Sequence, residues 1–151
     1  MLSKIEPIGL GTNFVTDVKK DEKKLVYLIQ KALDCGINLF DTAEIYHNGY
    51  SEKLIGKAFK KNRKKAFIAT KFSTEHSSYK DVLKAAKGSL KRLKTDYIDL
   101  YQIHWPDGLT PIDDTLCELM KLRDEGKLRW LGVSNFSSAL IIISIIGIIL
   151  I

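Results

Sequence analysis

The sequence predicts an α/β fold built on a parallel sheet, and three observations carry that prediction. Short β-branched or aromatic runs recur along the chain, each nearly continuous in its apolar character, as strands buried on both faces require. Stretches with apolar residues at helical spacing lie between them. The last four strand ends, at Asp41, Lys71, His104 and Ser134, fall 30, 33 and 30 residues apart, the size of one strand–helix unit.

Taken in order, "EPIGLG" around Ile8 is the first strand. "DEKKLVYLIQKALDCG" places Leu25, Leu28, Ile29, Ala32 and Leu33 on one stripe, with Asp21 as N-cap and Gly36 as the residue that ends the helix. "INLFD" is a strand ending at Asp41, and "SEKLIGKAFKKN" pairs Leu54 and Ile55 with Ala58 and Phe59 on a second helix. "AFIATK" runs to Lys71. A third helix opens on Ser78 with Asp81 three residues later, close to a capping box. "YIDLYQIH" ends at His104. "DDTLCELMKLRDEG" carries Leu116, Leu119, Met120 and Leu122 and stops at Gly126 before "LRWLGVS", the fifth strand.

Alternation of this kind fits either an open doubly wound sheet or a (β/α)8 barrel. Four successive strands finish on Asp, Lys, His and Ser, residues an apolar run has no packing need of. In a barrel all strand C-termini converge on one face, where catalytic groups come from several strands. In an open sheet, ligands gather where the strand order reverses, and the Gly-x-Gly-x-x-Gly turn that serves dinucleotides there is absent. The reading is therefore a TIM-type (β/α)8 barrel. Eight units of about 30 residues need on the order of 240, so the 151 residues hold the first five strands and four helices only, a truncated barrel over residues 1–136.

Composition narrows the function classes. At 17.1 kDa, with 28% charged residues, the chain suits one soluble domain. The net charge of +6 gathers partly in "GKAFKKNRKK". No aromatics interleave that run, so it reads as a helix C-terminus whose lysines offset the dipole rather than as a nucleic-acid site. Cys35 and Cys117 have no Cys-x-x-Cys spacing and sit among apolar helical residues, which predicts buried free thiols in a reducing compartment. The N-terminus lacks a signal-peptide pattern, so the cytoplasm is the expected location. No metal-ligand spacing is present, and no Ser or Cys stands in a nucleophile setting.

Converging strand ends would put Asp41, Lys71 and His104 in one pocket, with Tyr46 hanging over it from the loop after Asp41. A lysine ammonium beside a phenol stabilises the phenolate and so eases proton donation. Asp41 would hold that ammonium and offset the cost of burying it. His104 can hydrogen-bond a substrate carbonyl and fix its direction.

"GINLFDTAEIYHNGYSEKLIGKAF", "TKF", "DYIDLYQIHWPD" and "LGVSNF" together resemble the aldo-keto reductases, in particular the branch with bacterial reductases and the β-subunits of voltage-gated potassium channels. The resemblance runs from about Ile8 to Phe136. It implies a catalytic tetrad of Asp41, Tyr46, Lys71 and His104, with Tyr46 as general acid and NADPH passing hydride to an aldehyde or ketone. It further implies that Ser134 and Asn135 meet the nicotinamide carboxamide, that Gly11, Thr12 and Asp41 lie near its ribose, and that Trp105 lines the substrate side. A non-catalytic regulatory or binding subunit and an inactive fragment stand as alternatives.

The last stretch departs from the family pattern. Residues 139–151 are 13 uncharged positions dominated by isoleucine. As a helix the run would be roughly 20 Å long, short of a hydrocarbon core of about 30 Å, so membrane insertion is not expected. With no polar side it cannot be the amphipathic helix the family has after "SNF". Residues 137–151 are accordingly read as an apolar tail outside the fold, arising from a reading-frame slip or an early truncation after about Ser137. Open sheet edges at the first and fifth strands would invite self-association.

Overall fold

The computed structural model describes residues 5–13, 21–106, 108 and 112–142. Its strands are β1 (Gly9–Gly11), β2 (Leu39–Asp41), β3 (Phe67–Phe72), β4 (Ile98–Ile103) and β5 (Leu128–Val133). The helices between them are α1 (Glu22–Asp34), α2 (Tyr50–Ala58), α3 (Tyr79–Leu93) and α4 (Ile112–Asp124), with short 3-10 turns at Arg63–Lys65 and Thr74–His76. The five strands form one sheet in the order β1-β2-β3-β4-β5, and every neighbouring pair is parallel. Strand order that simply follows chain order distinguishes an arc of a barrel from a doubly wound sheet, whose order reverses. The register runs Gly11 to Asp41, Asp41 to Ala69, Ala69 to Leu100 and Leu100 to Trp130.

Alternate strand residues face the helices or the concave side, as the two-residue period requires. Phe40, Ile68, Phe72, Tyr101 and Ile103 point into the core that the sheet shares with Ile29, Leu54, Ile55, Phe59, Val82, Ala86, Leu93 and Leu119. Phe40 packs on Phe59 with ring centroids 4.6 Å apart. Gly56 lets α2 approach the end of α3, since a Cβ there would lie 2.6 Å from the Leu93 carbonyl oxygen. Burial is complete in the central β3 and falls off toward both ends of the arc, where β1 and β5 pair on one side each among the described residues.

Several local expectations are corrected. Leu28, placed on the buried stripe of α1, is 47% exposed. It lies on the flank away from α2, on the opposite side from Gln30, whose amide donates to the Ala58 carbonyl. Asp21 takes the N-cap position without a side-chain cap, because its φ of −130° and ψ of 24° leave the extended region that capping needs. Its carboxylate pairs with Lys24 instead. Ser78 has the extended backbone, but its hydroxyl donates to the Asp81 carboxylate at 2.5 Å rather than accepting from a backbone N–H. Cys35 is exposed and Cys117 half-buried, so neither is a buried thiol. Cys35 falls at the C-cap of α1, past the last apolar position.

After β5 the chain continues as helix over residues 138–142, its start held by the Ser137 carbonyl accepting from the Ile141 N–H at 3.0 Å and by the Ser137 hydroxyl accepting from the Leu140 N–H at 3.3 Å. The rest of the tail, 143–151, and the readings attached to it lie outside the described residues. No described helix is long and apolar enough to cross a membrane.

Candidate active site

The C-terminal ends of the parallel strands deliver the polar residues to one edge. Asp41 closes β2, Lys71 is the penultimate residue of β3, and His104 and Ser134 follow β4 and β5 directly. Ladder hydrogen bonds continue past the strands: Thr12 N–H to the Asp41 carbonyl at 2.9 Å, Glu44 N–H to the Lys71 carbonyl at 3.0 Å, and Ser134 N–H to the Ile103 carbonyl at 2.8 Å. The loop positions are therefore fixed by backbone before any side chain acts.

The Lys71 side chain is buried to 8% exposure, and its Nζ donates to both Asp41 carboxylate oxygens at 2.7 Å and to the Thr42 carbonyl at 3.0 Å. A buried ammonium needs such partners to stay charged. The same Nζ lies 5.3 Å from the centroid of the Tyr46 ring. Tyr46 meets His104 edge to face, centroids 5.7 Å apart at 73°, and His104 stacks on Trp105 at 3.5 Å. The structure thus brings Asp41, Lys71, Tyr46 and His104 together at the strand ends, with Trp105, 40% exposed, stacked on the His104 ring.

Burial, and after it the nearby Lys71 charge, push His104 down to about 4, against the opposing pull of Asp41 and Glu44. The imidazole is neutral at neutral pH and can donate one hydrogen bond from its ring. Its Nδ1 is buried with no hydrogen-bond partner among the described residues.

The cofactor-side expectations divide. A Cβ on Gly11 would meet nothing within 4 Å among the described residues. The Asn135 amide nitrogen donates to the His104 carbonyl at 2.9 Å and to the Ser134 hydroxyl at 3.1 Å. That leaves the Asn135 Oδ1 as an acceptor and the Ser134 hydroxyl hydrogen as a donor, the complement of a carboxamide. Thr12 behaves differently. It is 1% exposed, its hydroxyl donates to the Asp41 carbonyl at 2.9 Å and accepts from Ser51 Oγ at 2.5 Å, so it braces Asp41 from beneath instead of offering a free hydroxyl.

Ser51 and Thr42, which join Thr12 in this buried hydroxyl cluster, were not singled out from the sequence, nor were Glu44, Glu52 and Arg92. Their neighbours give no signal, because a Ser and a Glu in a helix first turn read as ordinary capping and dipole residues.

The model of the Aldo/keto reductase family matches residues 7–144. Aldo-keto reductase YhdN of Bacillus subtilis is 44% identical over 143 residues, covering 86% of this chain and 43% of that protein. The crystal structure of an aldo-keto reductase from Klebsiella pneumoniae in complex with NADPH superposes with a TM-score of 0.86 at 33% identity, covering 89% of this chain and 47% of the other. A protein of Oryza sativa named "Probable voltage-gated potassium channel subunit beta" is 33% identical over 128 residues, covering 78% of this chain and 39% of that protein. The chain thus spans about half the length of the relatives it matches. Its five-strand arc and the matched motifs agree, and the chain belongs to the aldo-keto reductase family.

Proposed function

We propose that this chain carries the proton-transfer side of an NADPH-dependent reductase that converts aldehydes or ketones to alcohols. The observation that carries the reading is Lys71 held against Asp41 at 2.7 Å beneath the Tyr46 ring, with a neutral His104 beside it. Tyr46 is the general acid and donates its phenolic proton to the carbonyl oxygen. Lys71 stabilises the phenolate left behind, and Asp41 keeps the ammonium oriented without neutralising its effect on the ring. His104, uncharged, donates a hydrogen bond that orients the carbonyl oxygen toward Tyr46. Trp105 supplies an apolar wall against which a small carbonyl compound packs.

The donor set fits a nicotinamide at one end: Ser134 and Asn135 present the complement of its carboxamide, and Gly11 leaves room near Asp41. NADPH, when bound, supplies the hydride. The other strand–helix units of a complete barrel would provide its remaining contacts, pairing at the outer edges of β1 and β5. Those same edges support self-association of the chain by itself.

The test is reduction of 4-nitrobenzaldehyde with NADPH by the chain joined to the remaining units of a relative. Turnover is expected, and Tyr46→Phe should abolish it, by at least about 10²-fold, while NADPH still quenches tryptophan fluorescence. Full turnover in the Tyr46→Phe enzyme would overturn the assignment of the acid.

A further inference from the structure

The loop that carries Tyr46 is built in an unfavourable backbone conformation. His47, Asn48 and Gly49 have φ of 51°, 53° and 74°, three consecutive left-handed residues of which two are not glycine. L-residues visit this region singly, and a run of them persists only where the surroundings over-determine it. The loop's backbone bonds are all local, the Tyr46 and Asn48 amides reaching the Ala43 and Ile45 carbonyls and the Tyr46, His47 and Gly49 carbonyls accepting from Ser51, Tyr50 and Lys53 at the start of α2; none of them ties the loop to another strand or helix.

Against the left-handed run lies a side chain from another helix. Arg92, near the end of α3, passes directly under Gly49, where a Cβ would lie 2.5 Å from its Cδ and 2.7 Å from its Nε. Its Nε donates to Glu52, and its Nη2 donates to the Ser89 hydroxyl at 3.1 Å and lies 3.7 Å from Glu44. Glu52 is fully buried, and its second oxygen accepts from the Thr70 hydroxyl of β3 at 2.7 Å. The other oxygen of Glu44 accepts from the Ser73 N–H at 2.6 Å and pairs with His76 Nδ1 at 2.7 Å. Glu44 and Glu52 bracket Tyr46 in the chain. One planar cation thus ties both flanks of the loop to α3, and through Thr70 to β3, the strand that holds Lys71.

We infer that Arg92 is a positioning residue: its hydrogen bond to Glu52 and its ion pair with Glu44 hold the left-handed 47–49 run in place, and thereby hold Tyr46 over Lys71 and against His104. The inference rests on the functional reading above only in naming Tyr46 the acid. Lysine cannot substitute, since a point charge cannot face two carboxylates and a hydroxyl in one plane. The outer position of Gly49 is part of the device, because any side chain there would displace the arginine.

The test uses the 151-residue chain with labelled aromatic rings. Nuclear Overhauser contacts between the Tyr46 and His104 rings, and hydrogen exchange of the amides of residues 43–49, are compared in the native chain, Arg92→Leu, Arg92→Lys and Arg63→Leu. Arg63→Leu breaks an ion pair at the opposite end of the sheet and controls for general destabilisation. Arg92→Leu is expected to erase the ring contact and speed loop exchange at least tenfold, Arg92→Lys to restore neither fully, and Arg63→Leu to leave both as they were. An unchanged contact and unchanged loop exchange in Arg92→Leu overturn the inference. If Arg92→Leu does not fold, Glu44→Gln, which weakens the Arg92 ion pair together with the His76 pair, is read against His76→Ala, which removes the His76 pair alone: Glu44→Gln must reduce the contact beyond His76→Ala, and an equal or intact contact overturns the inference. Failure of the Tyr46→Phe activity test would remove the acid role while leaving this ring-contact result unaffected.

Discussion

Each end of the sheet carries an aspartate in an ion pair, with an aromatic ring beside it, one cation at the C-terminal end and two at the other, yet the two clusters are built to opposite standards. At the N-terminal end Asp99 is 3% exposed and fully used: it accepts from Arg63 at 2.6 Å, from Arg129 at 2.9 Å and from the Ile68 N–H at 3.0 Å. Both guanidinium groups lie over the Tyr97 ring, at 4.1 and 3.8 Å, and Arg63 also donates to the Ala66 and Tyr97 carbonyls. At the C-terminal end Asp41 is 40% exposed, the Nδ1 atoms of His104 and His47 have no partner among the described residues, and the loop above is left-handed over three residues. Saturation at one end and open valences at the other is the division a barrel makes between the face that stabilises and the face that reacts.

The comparison breaks most sharply at Asp99. Asp99→Ala would leave two arginines and a strand N–H without their shared acceptor. Removing one partner of a buried ion pair costs about 3–5 kcal/mol, and urea unfolding should show a loss of that size. The Tyr46–His104 ring contact in whatever fraction remains folded should be unchanged. A loss below about 1 kcal/mol, the worth of an exposed pair, would mean that this end is no more a stability site than the other.

A smaller effect separates the ends by pH. His104 is lowered to about 4 in the folded chain from an ordinary value of 6.5, by burial first and by Lys71 second. The unfolded chain therefore binds the extra proton between those values, and stability rises with pH through that window. The contribution is complete above about 6.5 and is lost as the pH falls toward 4. Denaturation midpoints measured from pH 4 to 7 should show this slope, and His104→Gln should flatten it, while Arg63→Leu should shift the curve without changing its shape. A slope that survives His104→Gln would assign it to another group.

How much of this was legible in the sequence follows the same division. Asp41, Lys71, His104 and Ser134 could be found because each interrupts or ends an apolar run, and parallel strands of equal spacing must bring such ends together. Asp99 also interrupts an apolar run, but its partners Arg63 and Arg129 lie 36 and 30 residues away, and no periodicity connects them. Arg92 is less visible still: in a lysine-rich helix it reads as one more solvated cation, and only the fold brings Gly49, Glu44 and Glu52 onto it. Leu28 failed for a different reason. Helical spacing defines a stripe but not its borders, which depend on whether a neighbour packs on that flank. Cys35 shows the same limit at a helix end. Local pattern predicts which residues face inward; it does not predict which charged groups meet.

The smallest expected effect on stability belongs to the pair on which the proposed chemistry rests. Lys71→Met keeps the length of the side chain and removes the buried ammonium, and the apolar stem fits surroundings that bury all but 8% of the native residue. The abandoned carboxylate, unlike that of Asp99, is 40% exposed and can be rehydrated in place. Removing one partner is costly when it strands a buried charge; here the stranded carboxylate is reached by water, which leaves the pair worth no more than an exposed one, so unfolding should move by less than about 1 kcal/mol. The ring of Tyr46 would then sit over a thioether instead of a cation, with nothing to stabilise a phenolate, and the reductase activity proposed for the completed chain should fall by at least about 10²-fold. A Lys71→Met chain as destabilised as Asp99→Ala would show that the pair at the C-terminal end is structural after all, and the contrast between the two ends would disappear. A stable and inactive variant would separate the two roles at a single residue, because the groups that hold this sheet together are those already saturated.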